Sequence, residues 1–204
     1  MKALPPDFEL ERYGLYVRFV NEEDSEFIVS LRTDSQRGQY ISSTDASVEM
    51  QREWIRDYKK RERQGTDYYF MFESPKGNRL GVSRIYEIKK ETFQTGSWVF
   101  KKDAPFGAAM LGDIICHEIA FELFPDGVNF HDIKKANAPV NKYADNFNPH
   151  FIFETELTRY YINRRENYLK HKDAYLAKFL PLIERMNKKT QKKEEKNECY
   201  HHRL

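Results

Sequence analysis

The stretch FQTGSWVF (93–100), KKDAPFGAAM (101–110), LGDIICHEIAFELFPDG (111–127) decides how this chain is read. It is a short apolar run, then a loop of small residues, then a long apolar segment closed by Pro125, Asp126 and Gly127. The pattern predicts a strand, a tight turn and a buried helix. Small residues at such a turn let backbone N–H groups approach an anion closely. The positive end of the following helix favours the same anion. The backbone of Phe106, Gly107, Ala108, Ala109, Met110 and Leu111 is therefore expected to cradle a pyrophosphate. The alternative is an ordinary strand-to-helix connection.

Upstream, Leu15, Val17 and Phe19 alternate as in a first strand, behind an extended lead-in over 1–13. Asn21 can cap a helix whose first turn carries Glu22, Glu23 and Asp24 and whose buried face is Phe27, Ile28 and Leu31. Residues 37–47 read as a loop. A second helix is expected over 48–63, with Trp54, Ile55 and Tyr58 inward and its Arg, Lys and Glu residues solvated. The aromatic run 68–73 reads as a buried strand, and Ser74-Pro75-Lys76-Gly77-Asn78 as a turn. A strand through Leu80, Val82, Ile85, Tyr86 and Ile88 then turns at Lys89-Lys90-Glu91-Thr92 into 93–100, which makes an antiparallel meander.

Downstream, 128–135 is expected as a strand and 140–146 as a short helix after Pro139. Residues 151–162 read as a strand or hairpin. Tyr168, Tyr175, Leu176, Phe179, Leu182 and Ile183 are spaced for a C-terminal helix. The division expected is a domain over 1–165, a helical extension over 166–187 and a polar tail over 188–204, helical or flexible.

Composition bounds the function. Of 204 residues, 40% are hydrophobic and 15% aromatic, enough for one sizeable core that includes a sheet. Net charge is +2 from 34 basic and 32 acidic residues, which argues against nucleic acid as a partner. The start carries prolines and acids where a signal peptide needs an apolar run, and no apolar stretch has membrane-spanning length. Cys116 lies in the expected buried helix and Cys199 in the tail, so no disulfide is expected and the chain reads as cytoplasmic. Cys199, His201 and His202 form too short a tract for a metal site, and none is expected.

The order of elements resembles the GNAT family of acetyl-CoA-dependent N-acetyltransferases. The branch it resembles includes ribosomal-protein and amino-sugar-nucleotide acetyltransferases. The likeness covers about 14–162 and rests on LRTDSQRGQYIS (31–42), TGSWVF (95–100) and ANAPVNKYADNF (136–147). It implies an α+β (α/β) fold: a mixed, mostly antiparallel central sheet flanked by helices, here with an added C-terminal helix. Two departures stand out. Ala104 replaces the Arg or Gln that usually opens the phosphate loop, so a side-chain hold is missing or comes from Lys101 or Lys102. Gln94 stands where Glu is common, and an amide cannot take a proton.

The resemblance also distributes roles. Acetyl-CoA is the implied co-substrate, with the thioester carbonyl met by a backbone N–H of Val99 or Phe100. Tyr143, six residues after Asn137, lies near the place where the family carries a catalytic Tyr and would protonate the departing thiolate; otherwise it is a packing Tyr. Asn137 and Asn141 would bind pantetheine amides or the departing sulfur, or serve as loop and cap residues. Glu87 could take the amine proton, directly or through water, or be a solvated strand-end carboxylate. His131 and Asp132 read as a structural pair or a base. Arg32, Tyr40, Ser42, Trp54 and Gln94 are placed at the acceptor pocket, where an Arg fork and an aromatic face suit a nucleotide-linked amino sugar; otherwise Trp54 is core and Arg32 a surface ion pair. Three readings follow: acetyl transfer to a small amine, to a protein N-terminus or polyamine, or a degenerate member that only binds acyl-CoA or a partner. A homodimer is compatible with all three.

Overall fold

The computed structural model describes residues 3–36, 38–40 and 47–201, with side chains as far as Lys189. The expected lead-in contains a strand: β1 (Glu9–Arg12) pairs antiparallel with β2 (Leu15–Phe19). Its charged sequence, Glu-Leu-Glu-Arg, masks the alternation. Tyr13 and Gly14, both at positive φ, make the hairpin turn whose twist matches the strands. Asn21 and Asp24 then form a capping box ahead of α1 (Ser25–Arg32). Ser47 caps α2 (Val48–Arg63) by accepting from the Met50 N–H.

The meander follows as β3 (Tyr68–Glu73), β4 (Arg79–Tyr86) and β5 (Thr92–Phe100). Next come α3 (Ala108–Leu123), β6 (Val128–Lys134) and α4 (Ala138–Ala144). The region 151–162 resolves into a hairpin, β7 (His150–Glu154) with β8 (Thr158–Arg164). The last helix, α5 (Arg165–His201), starts earlier than its apolar spacing suggests. It continues through Pro181 and through most of the stretch read as a tail.

All eight strands form one sheet in the order β1-β2-β3-β4-β5-β6-β8-β7. Among the described strands only β5 and β6 run parallel, because α3 connects them. Helices cover both faces, so two cores form. On one face, Val20, Ile28, Leu31, Ile55 and Tyr58 meet Tyr69, Met71, Val82 and Val99. On the other, Ile114, Ile115, Ile119 and Phe121 of α3 and Phe179 and Ile183 of α5 meet Phe70, Phe72, Phe93 and Phe100. The architecture is the mixed, mostly antiparallel sheet with flanking helices read from the sequence.

Candidate active site

Two irregularities in β5 open a cleft. The β4–β5 register pairs Val82 with Val99 but Arg84 with Gly96, so β5 carries an extra residue opposite Ser83. Ser97 takes up that bulge at φ 49°. On its other edge, β5 pairs with β6 only from Thr92 to Gln94, opposite Val128 to Phe130. Beyond Gln94 and Phe130 the parallel ladder stops, and β5 from Thr95 onward presents an edge to the gap. The Val99 side chain packs in the α1–α2 core and Phe100 in the α3 core. What either residue offers the cleft is therefore its main chain.

At the far end of β5 lies the anion cradle. Gly107 caps α3 at φ 88°. The Ala108 N–H donates to the Pro105 carbonyl at 3.0 Å and the Leu111 N–H to the Gly107 carbonyl at 2.9 Å. These two of the six expected N–H groups are thus spent on forming the turn. The N–H groups of Phe106, Gly107, Ala109 and Met110 have no acceptor among the described residues. Four such donors at the positive end of a helix fit a pyrophosphate. Lys101, a possible substitute for the missing side-chain hold, is paired with Asp103 at 3.4 Å. One side of the loop is closed by α5: the Phe106 and Phe179 rings lie 6.1 Å apart, and Ile183 lies against Gly107.

The β6–α4 segment supplies the second wall. The Asn137 side chain accepts from the Val140 N–H at 3.4 Å, so it is the N-cap of α4. The Asn141 amide donates to the carbonyls of Lys134 and Asn137, at 2.9 and 2.8 Å. Its Oδ1 is buried without a partner among the described residues and is left to accept from a ligand N–H. Tyr143 packs on Trp98 of β5, ring centroids 5.2 Å apart. Its hydroxyl donates to the Asp113 carboxylate at 2.9 Å. Burial, and then the Asp113 charge, push this phenol well above its ordinary range.

From Asp113 a polar chain crosses the α3 face of the sheet. The His117 Nδ1 contacts the Asp113 carbonyl at 2.9 Å and the carboxylate at 3.4 Å. Its Nε2 meets Thr95 Oγ1 at 3.2 Å. Thr95 Oγ1 also accepts from the Asn129 amide at 3.1 Å, which ties β5 to β6 where the ladder ends. Asn129 Oδ1 lies 2.8 Å from His131 Nδ1. A carbonyl partner at each Nδ1 places a proton there. Burial, then the neighbouring His117, lower the His131 pKa to about 4. For His117 burial alone would lower the pKa, but the charge and hydrogen bonds of Asp113 outweigh it and raise it.

The opposite face, over α1 and α2, differs. Register puts Tyr86, Gln94 and Phe130 in one row across three strands. Arg84, one step along the same face, donates to both oxygens of the buried Asp67. Its guanidinium lies 5.0 Å from the Trp54 ring and 4.8 Å from the Tyr86 ring. Arg61 shares Asp67 at 2.9 Å and stacks on Trp54 at 5.3 Å. Trp54, expected on the inner face of α2, is 36% exposed at the rim. Arg32 ends α1 beside Tyr69, pulling against the burial that raises that phenol. Tyr40 sits in a short 3-10 turn, Gly38–Tyr40, and Ser42 lies outside the described residues.

Two sequence expectations change here. Glu87 is not in the network: it stands on the β4–β5 turn at φ 50°, 59% exposed and 3.8 Å from Lys89. His131 and Asp132 do not pair, because neighbours on a strand face opposite ways. His131 faces Asn129 and Tyr161, while the charge of Asp132 reaches Tyr86 on the α1–α2 face. Sequence reasoning misses Asp113, His117, Thr95, Asn129, Asp67 and Arg84. The signal that could have found the first two is an Asp and a His four apart inside an otherwise apolar helix.

Searches of family models and of curated protein sequences give no match. Solved structures do match. Apo FdhC, a nucleotide-linked sugar GNAT, is 30% identical, and the match covers 85% of this chain and 99% of that one with a TM-score of 0.75. RimL, a ribosomal L7/L12 alpha-N-protein acetyltransferase in complex with coenzyme A, is 13% identical over 77% and 98% of the two chains, TM-score 0.62. The spermidine/spermine N-acetyltransferase SpeG from Vibrio cholerae, in complex with manganese ions, is 14% identical over 77% and 96%, TM-score 0.59. The last two share the fold. The cleft, the cradle and these likenesses define an acetyl-CoA-dependent N-acetyltransferase. The chain belongs to the GNAT family.

Proposed function

We propose that this enzyme transfers the acetyl group of acetyl-CoA to the amine of a nucleotide-linked amino sugar. The supporting observation is the 30% identity to a nucleotide-linked sugar GNAT over nearly all of that chain. The acceptor face agrees with it. Arg84 is locked by Asp67 between two aromatic rings, with Nη1 left without a partner among the described residues. Arg84 and Arg61 share one carboxylate, so the cluster is net positive. A fixed guanidinium beside an exposed indole suits a phosphate linked to a flat base.

In this reading the N–H groups of Phe106, Gly107, Ala109 and Met110 hold the pyrophosphate and Asn141 Oδ1 accepts from a pantetheine amide. A main-chain N–H at Val99 or Phe100 polarises the thioester carbonyl, a type of contact worth roughly 2.7–4 kcal/mol in acyl transfer. Acetyl-CoA supplies the activated acyl group. Gln94 orients the acceptor. Asp132, on the acceptor face near Tyr86, takes the ammonium proton directly or through one water. Tyr143 gives a proton to the departing sulfur. Thiol release with acetyl-CoA tests the acceptor, using nucleoside-diphosphate amino sugars, spermidine and a peptide N-terminus. Turnover is expected with the first group. Turnover with spermidine or peptide but none with nucleotide sugars overturns the reading.

A further inference from the structure

All of α3 except Ala109, Met110 and Glu122 is buried, so each buried polar side chain on it needs an explanation. Glu118 has one: Arg12 at 2.8 Å, Tyr13 at 2.8 Å and Lys172 at 2.7 Å surround it and tie the β1–β2 hairpin and α5 to α3. Asp113 and His117 have no such cation. They are 9% and 8% exposed, one helical turn apart, and compensate each other. Two ionisable groups buried beside a cleft, with no charged partner from another element among the described residues, mark a functional position.

Their contacts say which function. Asp113 holds the hydrogen of Tyr143, the proposed donor to sulfur. His117 touches Asp113 on one side and Thr95 on the other, at the point where β5 leaves β6. With its hydrogen committed to a carboxylate and its pKa pushed up, Tyr143 alone is a poor acid. It becomes a good one if its oxygen receives a proton as its own hydrogen leaves.

We propose that Asp113 and His117 are positioning residues that resupply Tyr143 during acyl transfer. The inference rests on the acid role of Tyr143 proposed above. As the carbon–sulfur bond breaks, sulfur takes the Tyr143 hydrogen. The Tyr143 oxygen takes a proton from the Asp113 carboxyl, which receives it from His117 Nδ1. His117 is left neutral with its hydrogen on Nε2, facing Thr95 Oγ1. Solvent protonation then restores the imidazolium. One proton moves at each link and none is lost. Stacking of His117 on the Tyr168 ring at 4.7 Å, with planes 15° apart, keeps the imidazole in line. The charged and titratable groups around the pair are Glu118 and Cys116 on α3, His131 on β6, Tyr143 on α4, and Tyr168 and Tyr175 on α5. Asp113 raises the His117 pKa, so the imidazolium is present at low pH and lost as pH rises through that raised value.

The test is a double-mutant cycle of His117→Gln and Tyr143→Phe, with kcat and KM for acetyl-CoA measured across pH. Each single variant is expected to lose about 100-fold in kcat, with KM for acetyl-CoA within about twofold. The double variant is expected to be no slower than Tyr143→Phe, and His117→Gln to lose the alkaline limb of kcat. Losses that multiply, or a limb that survives, overturn the inference. If Tyr143→Phe alone keeps full turnover, the acid role itself fails and takes this proposal with it. If His117→Gln does not fold, Asp113→Asn carries the test, since an amide still accepts the Tyr143 hydrogen but cannot pass a proton. Unchanged turnover in that variant overturns the proposal.

Discussion

Ile183 of the C-terminal helix lies where a side chain on Gly107 would begin: a Cβ built there would stand 2.5 Å from Ile183 Cδ1. Gly107 therefore meets two demands, a left-handed backbone at φ 88° and close approach of α5 to the anion loop. Gly107→Ala should cost about 1–2 kcal/mol for the backbone and about 1–3 kcal/mol for overpacking. Adding Ile183→Ala should recover the packing part and leave the backbone part. Denaturant melts of the single and double variants separate the two. Acetyl-CoA affinity should fall in Gly107→Ala, because the N–H groups of Phe106 and Gly107 shift with the loop.

The strands and helices are legible in the sequence wherever apolar spacing is regular. That is why α2, α3 and the meander fall where the sequence puts them. β1 is not legible, because an edge strand with charge at three of its four residues looks like surface. The anion loop is legible from its small residues, but which N–H groups stay free depends on the turn bonds at Pro105 and Gly107. The polar chain is illegible for another reason. Asp113, His117, Thr95 and Asn129 come from three elements, and only the sheet register brings them together. Glu87 is misplaced because β4 ends at Tyr86, two residues before the Ile88 that closes its apolar run, leaving Glu87 on the turn.

Acid should expose the second histidine. His131 falls from an ordinary 6.5 to about 4 in the folded chain. Between those values the unfolded chain binds the extra proton, so stability drops as pH falls from about 6.5 toward 4. The size is on the order of 3 kcal/mol at most. His117 has the opposite sign: its contribution is complete below the unfolded value and is lost as pH rises through its raised pKa. Melts of the parent and His131→Gln at pH 7 and pH 4.5 should show a smaller acid loss in the variant. An equal loss would mean that His131 is not held neutral.

Arg84→Lys keeps the charge on the acceptor face but not the two-pronged grip on Asp67 or the flat stack on Trp54 and Tyr86. The expected result is a rise of about tenfold in KM for a nucleotide-linked amino sugar, equivalent to 1.4 kcal/mol. KM for acetyl-CoA should not move, because that ligand is assigned to the other end of β5. Equal changes in both constants would point to general loosening of the sheet rather than to acceptor recognition.

Two carboxylates are the candidates for taking the amine proton in the proposed reaction, and they stand in different surroundings. Asp132 lies on the acceptor face beyond the end of the β5–β6 ladder, where its charge raises the Tyr86 phenol. Glu87 stands on a turn, more than half exposed, in a backbone conformation that disfavours any side chain with a Cβ. Asp132→Asn should lower kcat/KM for the acceptor by about 100-fold. Glu87→Gln should leave turnover within about twofold, and Glu87→Gly should stabilise the fold by about 1 kcal/mol. Steady-state kinetics and thermal melts on the three variants decide the matter. A large loss in Glu87→Gln with normal Asp132→Asn would return the base to the turn, and would require Glu87 to swing across the strand end when the acceptor binds.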